Sequence, residues 1–433
     1  MTRKMKDSGI EWIGEIPEDW EVVKLKYLGE FSSSGIDKKI NENEKLIKIV
    51  NYTDVYNNWQ FRLYNMNYMI VSANSDQIKQ HLLKRGDLIF TPSSETIEDI
   101  GISAVVMEDL INTAFSYHVL RYKFNSSEKV IFEYRRYLCN NNYSYNYFSF
   151  LAKGTTRKTL KRSDFNEAKV VLPPLKTQEK ISVFLDNKMA DTENIKSAII
   201  KEIQTLEDYK KSIITEAVTK GLDKNVEMKD SGIEWIGEIP EHWSISRIKY
   251  LTTSRSEKGN LSDTNKYIGL ENVESKTGKY IKTDTDYIDA VYDQCKKGDL
   301  LYGKLRPNLN KVLISPFDAS CTGEFEIIKE STIDKKWLYY YFLTPGFTNI
   351  VNSSTFGAKM PRASWTFIEN IKIAYPNDSE MQEIVSYIDS ISNVTDVAIC
   401  SKQKQLETLE EYKKSLIYEY VTGKKEVKDG EET

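Results

Sequence analysis

Residues 5–20 read MKDSGIEWIGEIPEDW, and residues 228–243 read MKDSGIEWIGEIPEHW. The two stretches differ at one of 16 positions, where Asp19 stands in the first and His242 in the second. A long internal repeat indicates a duplicated structural unit, and it has to be recognised before local elements are assigned. We therefore expect two copies of one fold in these 433 residues.

A second pair of matching segments closes each copy. Residues 206–219 read LEDYKKSIITEAVT and residues 409–422 read LEEYKKSLIYEYVT, with ten of 14 positions identical. The first block recurs after 223 residues and the second after 203, so the region between them is 20 residues shorter in the second copy. That region also differs in sequence. Near-identical frames with divergent contents favour one scaffold that recognises two different things over a duplication without functional meaning.

Two long segments have the period of a coiled-coil helix. Residues 177–220 and 380–421 contain no proline, and apolar residues recur in them at intervals of three and four. At 1.5 Å rise per residue, the first helix is about 65 Å long. The predicted seam residues are Leu185, Ile195, Ile199, Leu206 and Ile213 in the first helix and Ile388, Ala398, Leu409 and Leu416 in the second.

Capping residues predict where these helices begin and end. Thr177 is the expected N-cap of the first, and Asp378 or Ser379 that of the second, with Gly221 and Gly423 as stops. Each apolar stripe must be buried. Packing of each helix on its own module is one solution, and antiparallel pairing of the two helices is favoured at this length. The repeated N-terminal block then lies near the end of the second helix, in a pseudo-two-fold object.

The fold class is predicted as α+β, with two α+β modules separated by the long helices. Aromatic-rich helices are expected at 130–151 and 334–350, and their tyrosines are expected to serve core packing more than base stacking. Short strands bounded by turn residues are predicted at 46–51, 87–90, 104–107, 118–124 and 168–172, and at 267–270, 299–302, 311–314, 325–328 and 371–374. The predicted boundaries are 1–172 for the first module, 173–226 for the first helical spacer, 227–376 for the second module, 377–425 for the second spacer and 426–433 for a flexible acidic tail.

Composition and motifs exclude several classes of protein. The four cysteines form no C-x-x-C pair and the three histidines are isolated, so a metal site is not expected. No Walker A loop or G-x-S-x-G elbow is present, so no catalytic site and no cofactor are expected in this chain. No apolar run reaches the roughly 20 residues that span a bilayer, and a cytoplasmic protein is expected.

A net charge of −4 requires that any nucleic-acid contact be made by locally basic segments. In the first copy, residues 153–162 read KGTTRKTLKR, and residues 91–101 form a polar loop, TPSSETIEDIG. Hydroxyl groups and glycine N–H groups beside cations suit phosphate contact. The candidate DNA-binding residues here are Ser93, Ser94, Glu95, Thr96, Lys153, Thr155, Thr156, Arg157, Lys158 and Lys161.

The second copy has basic segments at matching places, GKLRPNLNK at 303–311 and GAKMPR at 357–362. Arginine pairs with guanine and asparagine with adenine, so the first of these is a candidate base-reading loop. Solvated loops are the alternative interpretation for all four segments, and their matching positions speak against it. The candidate residues are Lys304, Arg306, Asn308, Asn310, Lys311, Lys359 and Arg362.

The repeated W-I-G-E-I-P-E-x-W block, the P-P-L-x-x-Q-E-x-I start of the first long helix and the GDLLYGKLRPNLNK and GAKMPR loops together resemble the specificity subunits of type I restriction–modification systems. The resemblance covers essentially the whole chain. It implies that 1–172 and 227–376 are target-recognition domains, each reading one half of a bipartite double-stranded DNA target. The first module lacks the K-L-R-P loop, so its contact residues are less defined.

The resemblance also implies partners. Such a subunit binds two methyltransferase subunits, which methylate adenine N6, and two restriction subunits with an ATP-driven motor join them. S-adenosylmethionine, ATP and Mg are then bound by the partner subunits and not by this chain. The two other hypotheses are a self-contained nuclease–methylase, which the missing motifs oppose, and a purely structural coiled-coil scaffold, which the divergent basic contents oppose.

Overall fold

The computed structural model describes residues 3–58, 60–126, 128–254, 256–261, 266–283, 290–357, 360–428 and 430. The chain divides into unit 1, residues 1–199 and 404–433, and unit 2, residues 200–403. Each unit contains one mixed α/β module and parts of both long helices. The α+β class predicted from the sequence is confirmed.

The described strands of unit 1 are β1 Met5–Asp7, β2 Glu15–Pro17, β3 Glu21–Lys24, β4 Gly29–Ser32, β5 Lys45–Val50, β6 Arg62–Leu63, β7 Met69–Ala73, β8 Leu88–Phe90, β9 Ser93–Ser94, β10 Ser103–Val106, β11 Thr113–Phe115, β12 Leu120–Phe124, β13 Lys158–Thr159 and β14 Lys169–Leu172. They form a five-stranded sheet of order β4-β12-β8-β10-β6, a three-stranded sheet of order β11-β5-β7, and the strand pairs β1-β2, β13-β9 and β14-β3. The helices that begin here are α1 Tyr52–Tyr56, α2 Ser75–His81, α3 Arg135–Leu138, α4 Asn142–Leu151, α5 Arg162–Glu167 and the long α6 Leu175–Lys220.

The described strands of unit 2 are β15 Met228–Asp230, β16 Glu238–Pro240, β17 Ser244–Arg247, β18 Thr252–Ser254, β19 Lys258–Asn260, β20 Tyr267–Ile268, β21 Val291–Cys295, β22 Leu300–Gly303, β23 Val312–Ile314, β24 Ala319–Cys321, β25 Phe325–Ser331 and β26 Lys372–Tyr375. They form two four-stranded sheets, of orders β18-β25-β22-β23 and β19-β21-β24-β20, and the pairs β15-β16 and β17-β26. The helices that begin here are α7 Ile248–Leu251, α8 Lys335–Leu343, α9 Pro345–Ser353, α10 Trp365–Ile368 and the long α11 Asp378–Val421.

Every predicted strand segment contains a strand, but both predicted aromatic helices are interrupted. The segment 130–151 divides into α3 and α4 because Asn141 caps α4, accepting from the backbone N–H of Ser144 at 3.0 Å. The segment 334–350 divides into α8 and α9, where Thr344 caps the second helix and Pro345 begins it. Proline is favoured at a first helical position because its missing N–H is not needed there. Most of the tyrosines of these helices are buried in the cores of their units, as expected.

Helix α6 begins before the predicted cap and ends at the predicted stop. The carbonyl of Pro174 accepts from the backbone N–H of Thr177 at 2.8 Å, so Thr177 lies inside the first turn and its prediction as N-cap is wrong. Gly221 follows the last helical residue with a φ of 75°, a left-handed conformation that glycine adopts without steric cost. The predicted stop is therefore confirmed.

Helix α11 shows the same pattern. Its cap is Asn377, whose Oδ1 accepts from the backbone N–H of Glu380 at 3.0 Å, so the predictions of Asp378 or Ser379 as cap are wrong. Asparagine is among the best N-cap residues. Gly423, with a φ of 71°, lies just beyond the helix and confirms the predicted stop.

The repeated blocks form the same hairpin in both units. Met5 pairs with Pro17 and Met228 with Pro240, in an identical antiparallel register. Each hairpin leads to a buried tryptophan at the C-terminal end of a long helix: a Cβ on Gly423 would lie 3.1 Å from the Trp20 ring, and one on Gly221 would lie 3.4 Å from Trp243. The expected position of residues 5–20 near the end of the second helix is confirmed.

The long helices pair antiparallel within each unit. In unit 1, the rings of Phe184 and Tyr420 lie 4.5 Å apart, and Lys196 Nζ lies 3.6 Å from Glu410 Oε1. Residue numbers thus rise along α6 as they fall along α11, so the antiparallel prediction is confirmed in this unit.

In unit 2 the same direction holds. Lys402 Nζ lies 2.6 Å from Glu202 Oε2, and Lys210 Nζ lies 2.9 Å from Asp396 Oδ1. Again the numbers rise on one helix and fall on the other. The pairing predicted from helix length therefore holds in both units.

Lysines, and not only apolar residues, occupy the seam. Ile195 is 51% exposed, so its prediction as a seam residue is wrong. The neighbouring Lys196 takes the seam position, because a lysine buries its aliphatic stem while its ammonium group reaches a carboxylate. The other predicted seam residues are buried or half-buried. On α6 the seam alternates strictly by four and three through Leu185, Met189, Thr192, Lys196, Ile199, Ile203, Leu206, Lys210, Ile213 and Ala217.

An aspartate at the same repeat position joins each long helix to its module. Asp186 Oδ1 accepts from the hydroxyl of Tyr137 at 2.6 Å, and Arg62 Nη2 donates to its Oδ2 at 2.8 Å. Asp389 accepts from Tyr340 and pairs with Lys336. Charged hydrogen bonds of this kind are stronger than neutral ones, so they fix each module on its helix.

Candidate nucleic-acid interface

The two candidate segments of unit 1 are joined by a short β-ladder. Lys158 pairs with Ser94 and Thr159 with Ser93, in the antiparallel pair of β13 with β9. The ladder continues where the backbone N–H of Leu160 donates to the carbonyl of Pro92 at 2.8 Å. Segments about 60 residues apart in the chain therefore form one surface.

A tight hairpin projects from this ladder. Lys153 and Thr159 exchange two backbone hydrogen bonds, of 3.1 and 2.8 Å. Gly154, with a φ of 125°, allows the turn, since a Cβ there would lie 2.1 Å from the carbonyl oxygen of Arg157. We refer to residues 153–159 as the unit 1 hairpin.

The exposed side chains of the unit 1 hairpin are cationic or polar. Arg157 donates from Nε to Ser93 Oγ at 3.1 Å and stands 5.4 Å above the ring of Tyr52. The pKa of nearby His118 is lowered, first by burial and then by the charges of Lys38 and Arg157, which indicates a positive local potential. Four further candidates here are exposed: Lys153, Thr155, Thr156 and Lys161.

The structure places one serine of the polar loop away from solvent. Ser94 is buried, and its hydroxyl accepts from the backbone N–H of Thr96 at 3.3 Å and contacts the hydroxyl of Tyr52 at 3.5 Å. The hydrogen bonds of Ser94 therefore organise the loop, and its contact with DNA stays a prediction. Glu95 and Thr96 are exposed, whereas half-buried Lys158 donates to the carbonyl of Gly154 at 2.7 Å.

Two tyrosines beside this loop were not predicted from the sequence. The rings of Tyr52 and Tyr56 stack 5.1 Å apart, and the Tyr56 hydroxyl donates to Asp99 Oδ2 at 3.0 Å. Burial is the main cause that raises the pKa of Tyr56. Both tyrosines follow the strand predicted at 46–51. Their position just after the end of a strand was the signal in the sequence that could have identified them.

The two candidate segments of unit 2 also come together. Leu305 and Arg362 form an antiparallel bridge, and the backbone N–H of Ala363 donates to the carbonyl of Lys304 at 3.0 Å. The backbone N–H of Arg306 donates to the carbonyl of Pro361 at 2.7 Å. The loop 303–311 and residues 360–362 thus form one surface, as in unit 1.

Two arginines and an asparagine remain exposed on this surface. Arg306 adopts a left-handed conformation with a φ of 49°, and Asn308 is exposed beside it. Arg362 is exposed and forms an ion pair with Glu324. Lys304 is half-buried, with Nζ 3.0 Å from Glu326 Oε2, so its charge is balanced within the protein.

Other candidates of unit 2 serve the fold. Asn310 is 4% exposed, and its Nδ2 donates to the carbonyl of Phe342 at 3.1 Å and to Thr348 Oγ1 at 2.7 Å. Its amide N–H groups are therefore used within the protein, and base reading by Asn310 stays a prediction. Lys311 donates to the carbonyl of Leu270 at 2.6 Å, and burial lowers its pKa. Lys359 lies outside the described residues.

The two surfaces have matching backbone bridges and different side chains. The bridge of Phe356 with Arg362 repeats that of Lys153 with Thr159, 203 residues later, and we refer to the described residues 356–357 and 360–362 as the unit 2 hairpin. At the position of Arg157, unit 2 has Met360. Phe356 and Met360 are 63% and 57% exposed. The sequence analysis did not select either residue, because it chose the basic residues of the same segment as candidates.

The described part of the chain holds no cluster of three or more His, Cys, Asp or Glu side chains suited to a metal ion. Among the described helices, none is long and apolar enough to cross a membrane. These features define the chain as a duplicated α+β protein whose two units present related hairpins with different exposed side chains.

Comparison with known proteins agrees with this class. The family model for the type I restriction modification DNA specificity domain matches residues 17–205 and 240–410. These two ranges make up most of the chain. The chain therefore belongs to the family of type I restriction–modification DNA specificity subunits, as its resemblance in sequence implied.

Individual relatives have low sequence identity to this chain, but the matches cover most of its length. The type I restriction enzyme MjaVIII specificity subunit of Methanocaldococcus jannaschii is 27% identical over 298 residues, 64% of this chain and 67% of that protein. The EcoDI specificity subunit of Escherichia coli is 24% identical over 402 residues, 87% of this chain and 82% of that protein. A chain from a solved structure on complex assembly and conformational transition of the type I R-M system has a TM-score of 0.66 at 14% identity and covers 94% of this chain and 99% of its own. That similarity supports the fold.

Proposed function

We propose that this specificity subunit reads a bipartite double-stranded DNA target, one half-site with each unit, and positions methyltransferase subunits that modify adenine N6. One observation carries the proposal. The unit 1 hairpin and the unit 2 hairpin have matching backbone bridges, and their described residues differ in exposed side chains. A shared frame with different side chains is what reading two different half-sites requires.

The chemistry of each surface supports DNA as the ligand. Lys153 and Arg157 are exposed in unit 1, where cations and hydroxyl groups suit phosphate contact. Arg306 is exposed in unit 2, where a guanidinium group suits the O6 and N7 acceptors of guanine.

The repeated frame supports two copies of one partner. Tyr27 is 68% exposed and Tyr250 is 69% exposed, at equivalent positions of the two copies. The ammonium groups of Lys26 and Lys249 stand 5.3 and 5.2 Å from these rings. Exposed tyrosines are frequent anchors of interfaces, and matching surfaces favour matching partners. We infer that two methyltransferase subunits dock here; they bind S-adenosylmethionine, and restriction subunits with ATP and Mg complete the enzyme.

Methylation sequencing of DNA from cells that express this chain with its methyltransferase tests the proposal. The expected result is a bipartite motif with N6-methyladenine in each half and a fixed unspecified gap. A short continuous motif would contradict the bipartite reading. No methylation despite a stable complex would favour the structural-scaffold hypothesis.

Replacement of Arg306 by alanine tests the modular part of the proposal. Loss of a base-specific arginine contact costs about 1–3 kcal/mol, so we expect roughly 5- to 150-fold weaker DNA binding and relaxation of one half-site only. Arg247→Ala is the matched control, because Arg247 is an exposed arginine on β17 outside the two joined segments. Relaxation of both half-sites in Arg306→Ala would show that the units do not read independently.

A further inference from the structure

Two exposed positions of the unit 2 hairpin are apolar where the matching positions of the unit 1 hairpin are charged. Phe356 stands where unit 1 has Lys153, and Met360 stands where unit 1 has Arg157. Both apolar side chains are more than half exposed. Exposed large apolar side chains grouped in one place mark interaction sites in soluble proteins.

The base of this hairpin is held firmly by backbone contacts. Phe356 and Arg362 exchange hydrogen bonds of 3.2 and 3.1 Å between their backbones. The backbone N–H of Arg306 donates to the carbonyl of Pro361 at 2.7 Å, which joins the hairpin to the loop 303–311. The apolar pair is therefore presented at the same surface as the exposed guanidinium groups of Arg306 and Arg362.

Duplex DNA is the occupant that this combination fits. The major groove admits a two-stranded β-ribbon, and the thymine C5-methyl group is the apolar feature displayed there. Arginines beside the ribbon supply contacts to guanine edges or phosphates. A protein partner would meet the same apolar side chains next to the cationic Arg306, which suits a polyanion better.

We propose that Phe356 and Met360 are specificity-determining residues that contact thymine methyl groups in the half-site read by unit 2. The proposal rests on the proposed function, since it requires that unit 2 reads DNA with this hairpin. It adds that the two units read by different chemistry: apolar contact in unit 2, and charged contact through Lys153 and Arg157 in unit 1. The half-site of unit 2 must then contain a thymine on at least one strand.

The test measures binding of the full chain with its methyltransferase to duplexes that carry the motif found by methylation sequencing. Each thymine of each half-site is replaced in turn by deoxyuridine, which removes only the methyl group. For the unchanged protein, we expect about fourfold weaker binding at one or two positions of one half-site, the effect of exposing one methyl-sized group. For Phe356→Ser/Met360→Ser, we expect no difference between thymine and deoxyuridine at those positions.

The control is Val291→Ser, which removes another well-exposed apolar side chain of unit 2 and should keep the deoxyuridine effect. If deoxyuridine never weakens binding of the unchanged protein in that half-site, or weakens the double variant equally, the inference is wrong although the bipartite motif stands. A missing bipartite motif would instead defeat the proposed function itself.

A second variant covers the case in which the serine pair does not fold. Phe356→Lys/Met360→Arg places the unit 1 side chains on the unit 2 hairpin, and a new motif from methylation sequencing should differ from the original in one half only. An unchanged motif from this folded variant would also overturn the inference.

Discussion

The two units place the same lysine in different surroundings. Lys210 and Lys413 occupy the same position of the repeated L-E-x-Y-K-K segment. In unit 2, Lys210 reaches Asp396 at 2.9 Å. In unit 1, Lys413 is 4% exposed, its ammonium group stands 4.3 Å from the centre of the Phe61 ring, and burial lowers its pKa to about 8.

The difference comes from the divergent contents and not from the frame. In unit 2 the module supplies Lys279, which also pairs with Asp396 at 2.9 Å, and the two lysines hold the pKa of that carboxyl below its usual range although burial opposes them. In unit 1 the module supplies the aromatic ring of Phe61 instead. The repeated sequence therefore forms the same backbone in both units, whereas the electrostatic environment of the repeated lysine depends on which module residues pack against it.

The largest expected effect on stability comes from a feature that both units share, the buried tryptophan at the end of a long helix. Trp20→Ala and Trp243→Ala should each cost about 3–5 kcal/mol, because each removes a buried tryptophan from the end of a long helix. Hydrogen-exchange mass spectrometry should show the loss of protection mainly in the unit that carries the change. Equal loss in both units after either change would mean that the units unfold together.

The same tryptophans also allow a finer comparison. Trp243 Nε1 donates to Glu380 Oε1 at 3.0 Å, whereas the indole N–H of Trp20 has no acceptor among the described residues. Replacement by phenylalanine should therefore destabilise unit 2 more than unit 1.

The next effect has opposite signs in the two units. Lys413 has a folded pKa of about 8 against an ordinary 10.5, so between these pH values the unfolded state binds the proton and the folded state does not. Stability should therefore rise as pH rises through this window, and Lys413→Met should remove that rise and stabilise unit 1 at pH 7 by up to about 3 kcal/mol. Lys210→Met should instead destabilise unit 2 by about 1 kcal/mol, since it breaks an ion pair.

Denaturant unfolding at pH 7 and pH 10, followed separately in the two units by hydrogen exchange, measures both changes. Stabilisation by Lys210→Met, or a pH dependence that survives in Lys413→Met, would contradict the comparison.

The smallest effect concerns the two hairpins. Alanine at Gly154 would bring its Cβ within 2.1 Å of a backbone carbonyl oxygen, whereas at Gly357 the nearest atom is 3.4 Å away. Both glycines have positive φ, so both changes should cost about 1 kcal/mol, with Gly154→Ala the more costly. Selective loss of the unit 1 half-site in Gly154→Ala, measured with half-site DNA competitors, checks this. A larger effect of Gly357→Ala would contradict the equivalence of the hairpins.

The repeats made the frame predictable, because each repeated block predicts the same local structure at two places in the chain. The long helices, their glycine stops and the strand segments followed from local patterns. The seam failed at Ile195 because a search for apolar residues passes over Lys196, whose burial depends on Glu410 of the other helix. Partners so far apart in sequence leave no local signal.

The candidate site was predictable by segment but not by residue. Both pairs of segments were identified, yet their joining by backbone bridges is a long-range event. Asn310 has the chemistry of a base reader, but α8 and α9 use its amide inside the protein. Phe356 would pass for a core residue, and only the structure shows it to be exposed.

The lysines of the helix seam also restrict how the helices can change in length. A seven-residue insertion in one helix preserves the apolar period, but it would bring Lys196 or Lys210 opposite residues other than Glu410 or Asp396. Polar residues in a seam fix alignment in this way at some cost in stability. Insertions should therefore be tolerated only when both helices lengthen together at matching places, so that the evolution of one helix is coupled to that of the other.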